Sequence, residues 1–217
     1  MDNPIILIFQ LAVLIFSVMI HEISHGFMAL KLGDTTAKDA GRLTLNPITH
    51  IDPIGSLFLP FFLYLSGAPI IGWAKPVPYN PFNLYKDMKY GPLKVALVGP
   101  LFNLLLAIVF AIIIRFGSSF INPSLLGFMG LIVFMNLFLA VFNLIPIPPL
   151  DGSKILMPIL PREYSAKLEN LGFSGIFLVF ALIYFFGSII SHISNWLFVL
   201  LVGKDGILAF LTVFAGR

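Results

Sequence analysis

The sequence predicts an all-α polytopic membrane protein with about five to six transmembrane or re-entrant segments, on three observations. Of its 217 residues 59% are hydrophobic and only 11% are charged, and the mean hydropathy is +0.99. A soluble domain has roughly a quarter of its residues charged, because water must solvate most of its exterior. The apolar residues are also gathered into runs long enough to cross a hydrocarbon core of about 30 Å as helices. This composition excludes a soluble enzyme and a disordered regulator. It also excludes a nucleic-acid binder, since the pI of 9.2 rests on a net charge of +3 with no dense basic patch. With no cysteine in the chain, disulfides, thiolate metal sites and cysteine nucleophiles are ruled out.

The first element runs from Pro4 to Ile20, apolar apart from Gln10 and Ser17, and continues to Leu30. A signal peptide fits it poorly, because Asp2 stands where a positive n-region belongs and no small-residue cleavage site follows. Two short polar connections, Lys31 to Pro53 and Trp73 to Pro92, are rich in Pro, Gly and Asn and are expected to form turns and short β-strands between the first helix and the Leu93–Phe116 helix. Between them Ile54 to Gly72 carries Pro60, Gly67 and Pro69, which suits a re-entrant hairpin shielded by protein. Leu93 to Phe116, Leu125 to Ile145 and Leu171 to Ile190 read as spans. The last run, Trp196 to Phe214, is interrupted by Lys204-Asp205-Gly206, so it is expected to lie along the interface or to span with a break.

Ionisable groups inside a bilayer are costly and point to function. The densest cluster is His21-Glu22-Ile23-Ser24-His25, an H-E-x-x-H motif within the first helix. At 3.6 residues per turn His21 and His25 stand one above the other on one face, the spacing that two imidazoles need to bind one zinc ion. In zinc hydrolases of this pattern the Glu, here Glu22, takes a proton from water rather than binding metal. The rival reading, a charged exposed helix face, does not suit a membrane span. A catalytic zinc needs a third protein ligand, for which Asp151, Glu163, Glu169, His50 and His192 are the candidates. Asp151 is favoured. It follows an apolar helix through Pro146, Pro148 and Pro149, which force the chain to unwind and let a carboxylate point into a bundle. Read alone, the same stretch is also a Pro-rich helix stop with an Asp-Gly turn.

The H-E-x-x-H in an N-terminal helix, followed by Asn143-Leu144-Ile145-Pro146-Ile147-Pro148-Pro149-Leu150-Asp151-Gly152 in a later one, resembles the site-2 protease family of intramembrane zinc metalloproteases. Gly99-Pro100-Leu101-Phe102-Asn103 is similar to that family's G-P-x-x-N helix. Gly41-Arg42-Leu43-Thr44-Leu45-Asn46-Pro47 and Ala74-Lys75-Pro76-Val77-Pro78 resemble connections in its short prokaryotic members, which lack accessory domains. The resemblance spans about residues 15 to 155. It implies that His21, His25 and Asp151 bind one zinc ion, that Glu22 is the catalytic base, and that the substrate is a transmembrane segment of another protein or peptide in the lipid bilayer. It also implies a single membrane-embedded peptidase domain, 1–217, with a catalytic core over about 5–155 and C-terminal helices over about 171–214.

If zinc joins His21 to Asp151, both near the C-terminal ends of their helices, those ends face one side. The chain between His25 and Leu93 then crosses an even number of times, which again favours a re-entrant Ile54–Gly72. The same topology gathers 10 of the 13 basic residues on that side. By the positive-inside rule the protein is a multi-pass cell-membrane protein with its site near the cytoplasmic face. Pro76 and Pro78 leave one edge of Ala74–Asn80 without donors, which suits an edge strand that holds an extended substrate. Asn103 and Asn143 are placed to contact substrate or a developing oxyanion, or to bond between helices. Gly172-Phe173-Ser174-Gly175 matches the G-x-S-G of rhomboid serine proteases, with His192 following, but four such residues arise easily by chance. The alternative function is a zinc or proton transporter using the same His/Asp/Glu cluster. A non-catalytic helix binder is disfavoured by the intact set of base and ligands.

Overall fold

The computed structural model describes residues 4–58, 61–62, 65, 73–171 and 175–214. These residues form seven α-helices: α1 (Pro4–Leu32), α2 (Thr36–Asp39), α3 (Gly91–Gly117), α4 (Pro123–Asn143), α5 (Asp151–Leu156), α6 (Arg162–Leu171) and α7 (Gly175–Phe214). Four stretches among the described residues are long and apolar enough to cross a membrane: Pro4–Leu32, Gly91–Gly117, Pro123–Asn143 and Phe177–Phe214. The described residues are helices and turns without a strand, and the four apolar helices make the chain a multi-pass membrane protein.

In lipid, helices associate by close packing and interhelical hydrogen bonds rather than by exclusion of water. The packed centre shows both. Ala107 and Ala111 of α3, Val133 and Leu137 of α4, and Phe198, Val202 and Ala209 of α7 form one buried cluster. The helices approach closely where side chains are small: a Cβ on Gly127 would stand 2.6 Å from the Ala209 carbonyl oxygen. Helix directions follow from their cross-bonds. His25, His21 and Ser17 of α1 meet Val95 and Asn103 of α3 in opposite order. Ser17 and Phe9 meet Asn136 and Phe128 of α4 in the same order. Thus α1 runs against α3 and along α4, and the C-terminal ends of α1 and α4 meet at the N-terminal end of α3. This is the arrangement predicted by joining His21 to Asp151 through one metal ion.

Two expectations are corrected. No strand occurs among the described residues. Residues 73–80 form neither helix nor strand, and their inward backbone groups are bonded to loops and side chains instead of a neighbouring strand: the Lys75 amide donates to the His50 carbonyl at 2.9 Å, Arg42 Nη2 donates to the Lys75 carbonyl at 2.8 Å, and the Val77 amide donates to Glu22. Pro76 and Pro78 have no N–H with which to extend a ladder. The other correction concerns residues 191–195, expected to separate two runs but helical, so that the helix from Gly175 breaks only next to Lys204, where a break is expected. His192 Nδ1 bonds the Ser188 carbonyl at 2.6 Å and Ser194 Oγ donates to the Ile190 carbonyl at 2.9 Å, so these polar residues satisfy themselves on their own helix and do not end it. The break falls at Gly203, with φ 71° and ψ −175°, immediately before Lys204. Only Pro53–Phe58, a turn of π-helix, and a few further residues of the Ile54–Gly72 run are described. The re-entrant hairpin therefore lies largely outside the described residues, as do residues 172–174 of the G-x-S-G sequence.

The connection after α1 is tied by a residue the motifs do not mark. Gly33, at φ +117°, ends α1 in a conformation that L side chains rarely adopt. Asp34 follows it, fully buried. Its carboxylate accepts from the Thr36 amide and hydroxyl, the Asn80 amide at 2.6 Å and Asn83 Nδ2 at 3.2 Å. Burial pushes this carboxyl up, and the four donors outweigh it and hold it below the usual carboxylate range. The result is that Asn80, and with it the segment 73–80, is fastened to the end of the helix that carries His21 and His25.

Candidate metal centre

The centre is built where α1, α3 and α5 meet. One helical turn puts His21 and His25 on the same face of α1, and both are buried. Their Nε2 atoms stand 3.0 Å apart. After α4 ends at Asn143, the Pro-rich residues 144–150 turn the chain, and Asp151 begins α5 with Oδ2 at 3.0 Å from His21 Nε2 and 3.1 Å from His25 Nε2. Each outer ring nitrogen is engaged. His25 Nδ1 lies 2.6 Å from the Val95 carbonyl, which can only accept, so Nδ1 carries the proton. His21 Nδ1 donates to Asn103 Oδ1 at 2.6 Å. In the neutral form of each ring Nε2 then presents a lone pair to its counterpart and to a buried carboxylate oxygen that has no hydrogen-bond donor.

Three acceptors forced together in a buried place repel unless a cation lies among them. Ligands held at 2.0–2.2 Å around tetrahedral zinc stand about 3.3–3.6 Å apart, a few tenths of an ångström wider than the separations found here. The donor set, two imidazoles and a carboxylate with the far imidazole nitrogens hydrogen-bonded, is one that zinc takes in catalytic sites. The residues present fit zinc. Glu22, grouped with the two histidines, turns aside from their face, and its Oε2 accepts from the Val77 amide at 2.8 Å. A cavity of about 120 Å³ opens over the group.

The family model for peptidase family M50 matches residues 113–184. YwhC of Bacillus subtilis is 38% identical over 176 residues, which is 76% of this chain and 76% of that protein. The chain belongs to peptidase family M50. Rip2 of Mycolicibacterium smegmatis is 30% identical over 190 residues, covering 85% of this chain and 68% of Rip2. MJ0392 of Methanocaldococcus jannaschii is 29% identical over 165 residues, covering 76% of this chain and 38% of that protein. All three bear the words zinc metalloprotease in their names. No solved structure matches the chain. The M50 peptidase is thus a zinc metalloprotease of the site-2 protease family.

Within this M50 peptidase the remaining candidates separate. Asn143 lines the cavity and donates to the Leu139 carbonyl at 2.9 Å. Asn103 is fully buried between helices and bonds His21, Asn136 and the Ser17 carbonyl. His50 sits in a turn and donates from Nε2 to the Thr44 carbonyl at 2.9 Å. His192 is exposed on α7 and Glu163 is exposed on α6; the Glu169 side chain is outside the described residues.

Sequence reasoning missed Tyr79 and Lys154, which line the cavity. Lys154 Nζ stands 4.0 Å from Asp151 Oδ1 and 5.6 Å from the Tyr79 ring centroid. Burial pushes the Tyr79 phenol above its ordinary range, against the opposing pull of Lys154. It also missed what the motif glycines do. A Cβ on Gly99 would stand 2.5 Å from His25 Nε2 and 2.7 Å from His21 Cε1. One on Gly152 would stand 2.3 Å from the Leu144 carbonyl oxygen and 2.4 Å from that of Ile145. In G-P-x-x-N, therefore, the glycine lets α3 approach the imidazoles and the asparagine, one turn on, orients one of them. In D-G the glycine seats Asp151 against the unwound end of α4.

Proposed function

We propose that the chain, residues 1–217, is one membrane-embedded peptidase domain that cleaves a transmembrane segment of another protein, with His21, His25 and Asp151 holding a single zinc ion and Glu22 as catalytic base. One observation carries this reading: the convergence of His21, His25 and Asp151 at 3.0–3.1 Å in the interior of an apolar bundle, with Glu22 on the same cavity. When bound, zinc supplies a Lewis acid that polarises the scissile carbonyl and makes water acidic enough to ionise near neutral pH. Glu22 accepts the proton and returns it to the leaving amine. Because the Val77 amide already occupies Oε2, the other carboxylate oxygen is free for this transfer and the side chain is held in one orientation. Asn143, Lys154 and Tyr79 line the same cavity and can donate to a substrate carbonyl there.

A helical substrate hides its carbonyls and must be extended before attack. The exposed prolines 76 and 78 support a role for residues 74–80 in holding it. At Pro76 and Pro78 the backbone on the side away from Glu22 offers carbonyls and no donors, so it pairs with the N–H groups of an extended peptide. The basic residues gathered at the α1–α3–α4 junction support a site within the membrane near its cytoplasmic face. Such an enzyme serves regulated intramembrane proteolysis or the clearance of signal-peptide remnants.

The test is reconstitution in liposomes with a set of membrane-spanning peptides, read by mass spectrometry alongside zinc flux across the same vesicles. The expected result is chelator-sensitive cleavage within the apolar stretch and no flux. Zinc flux without cleavage identifies the transporter instead and overturns the proposal.

A further inference from the structure

The polar chain behind His21 has a direction, and its origin lies two helices away. Ser17, Asn103 and Asn136 are buried at 4%, 0% and 0% exposure in the middle of α1, α3 and α4. Asn136 Nδ2 donates to the Ile132 carbonyl and to Ser17 Oγ, both at 2.9 Å. A carbonyl cannot donate, so the nitrogen of this amide must face Ile132 and its oxygen must face Asn103. Asn136 Oδ1 then accepts from Asn103 Nδ2 at 2.8 Å. That turns Asn103 Oδ1 toward His21 Nδ1, 2.6 Å away, and puts the ring proton on Nδ1. If Asn103 were flipped, its amide nitrogen would donate to Nδ1 and drive the proton onto Nε2, where it would stand between His21 and Asp151.

We infer that Asn136 is a positioning residue that fixes His21 in the tautomer able to bind metal, acting only through Asn103. This rests on the reading of His21 as a zinc ligand. Asn103 alone does not hold the direction, because without Asn136 its nitrogen keeps a single long contact, 3.4 Å to the Ser17 carbonyl. Ser17 Oγ is a different case. It is one of two acceptors for the same Asn136 nitrogen, and Ile132 suffices to keep the amide oriented.

The two residues thus make the relay separable from plain structural support. With the full chain in detergent micelles, zinc affinity is measured against a competing fluorescent chelator. Asn136→Leu is expected to weaken binding about 10–100-fold, the usual cost of losing an outer partner of a metal-bound histidine. Ser17→Ala, which also deletes a buried hydrogen bond, is expected to stay within about threefold of wild type. Nitrogen-15 spectra of the metal-free protein are expected to show the His21 Nδ1 fully protonated in wild type and Ser17→Ala, and its proton shared between Nδ1 and Nε2 in Asn136→Leu. Equal losses of affinity in the two variants overturn the inference. So does a mixed tautomer in the wild-type protein, a result that needs no variant to fold. A wild-type chain that binds no zinc overturns the ligand reading itself, and the tautomer spectra still decide the relay.

Discussion

Glu22→Gln is expected to lower peptide-bond hydrolysis by about 10²–10⁴-fold, the range a positioned general base supplies, and to leave zinc bound. The substitution is nearly isosteric, and the amide oxygen of the new side chain can still accept from the Val77 amide that Glu22 holds at 2.8 Å. Segment 73–80 therefore stays in place, and His21, His25 and Asp151 keep their separations. What is lost is the carboxylate that, in the proposed mechanism, takes a proton from water. Turnover of a cleavable membrane peptide, measured beside zinc content in the same preparation, checks this. A Glu22→Gln enzyme that cleaves at the wild-type rate removes Glu22 from the mechanism, and one that loses its zinc makes Glu22 a ligand.

The second large effect is expected from a single methyl group. In Gly152→Ala the new Cβ would fall 2.3–2.4 Å from the carbonyl oxygens of Leu144 and Ile145. Both are backbone, so no rotamer change relieves the contact, and α5 must move away from the end of α4. Asp151, the adjacent residue, moves with it. Overpacking of this kind costs about 1–3 kcal/mol of stability, while a displacement of about 1 Å at reacting groups can cost 10²-fold in rate. Gly152→Ala should therefore keep most of its thermal stability and lose at least 10²-fold in activity, together with most of its zinc. Gly187→Ala is the control, since a Cβ there meets nothing nearer than 3.9 Å. Thermal unfolding, turnover and zinc content of both variants decide the matter. Full activity in Gly152→Ala would show that Asp151 is not held by this contact.

What could be read before the fold was known depended on local rules. His21 and His25 share a face because a helix repeats every 3.6 residues, and the Pro-rich approach to Asp151 unwinds because proline cannot continue a helix. Helix directions also followed, since joining the ends of α1 and α4 leaves α3 only one way to run. Other features are tertiary and left no local trace. Residues 74–80 have the look of a strand, yet their partners are Glu22, Arg42 and His50 from distant stretches of chain. Ser191 to Asn195 look like a gap between spans, but carbonyls one turn back satisfy His192 and Ser194. Asn136 did leave a signal, an amide in the middle of an apolar span, though its direction depends on the Ile132 carbonyl and could not be seen without coordinates. The reasons for Gly99 and Gly152 appear only when a Cβ is placed on each.

The account stands most directly on what holds the metal, and zinc content by elemental analysis of the purified chain measures it. Wild-type protein and Glu22→Gln should each carry close to one zinc per chain, and Asp151→Ala should carry little, since two histidines alone leave a catalytic zinc one protein ligand short. Zinc at the wild-type level in Asp151→Ala, or its absence from the wild-type chain, would contradict the account.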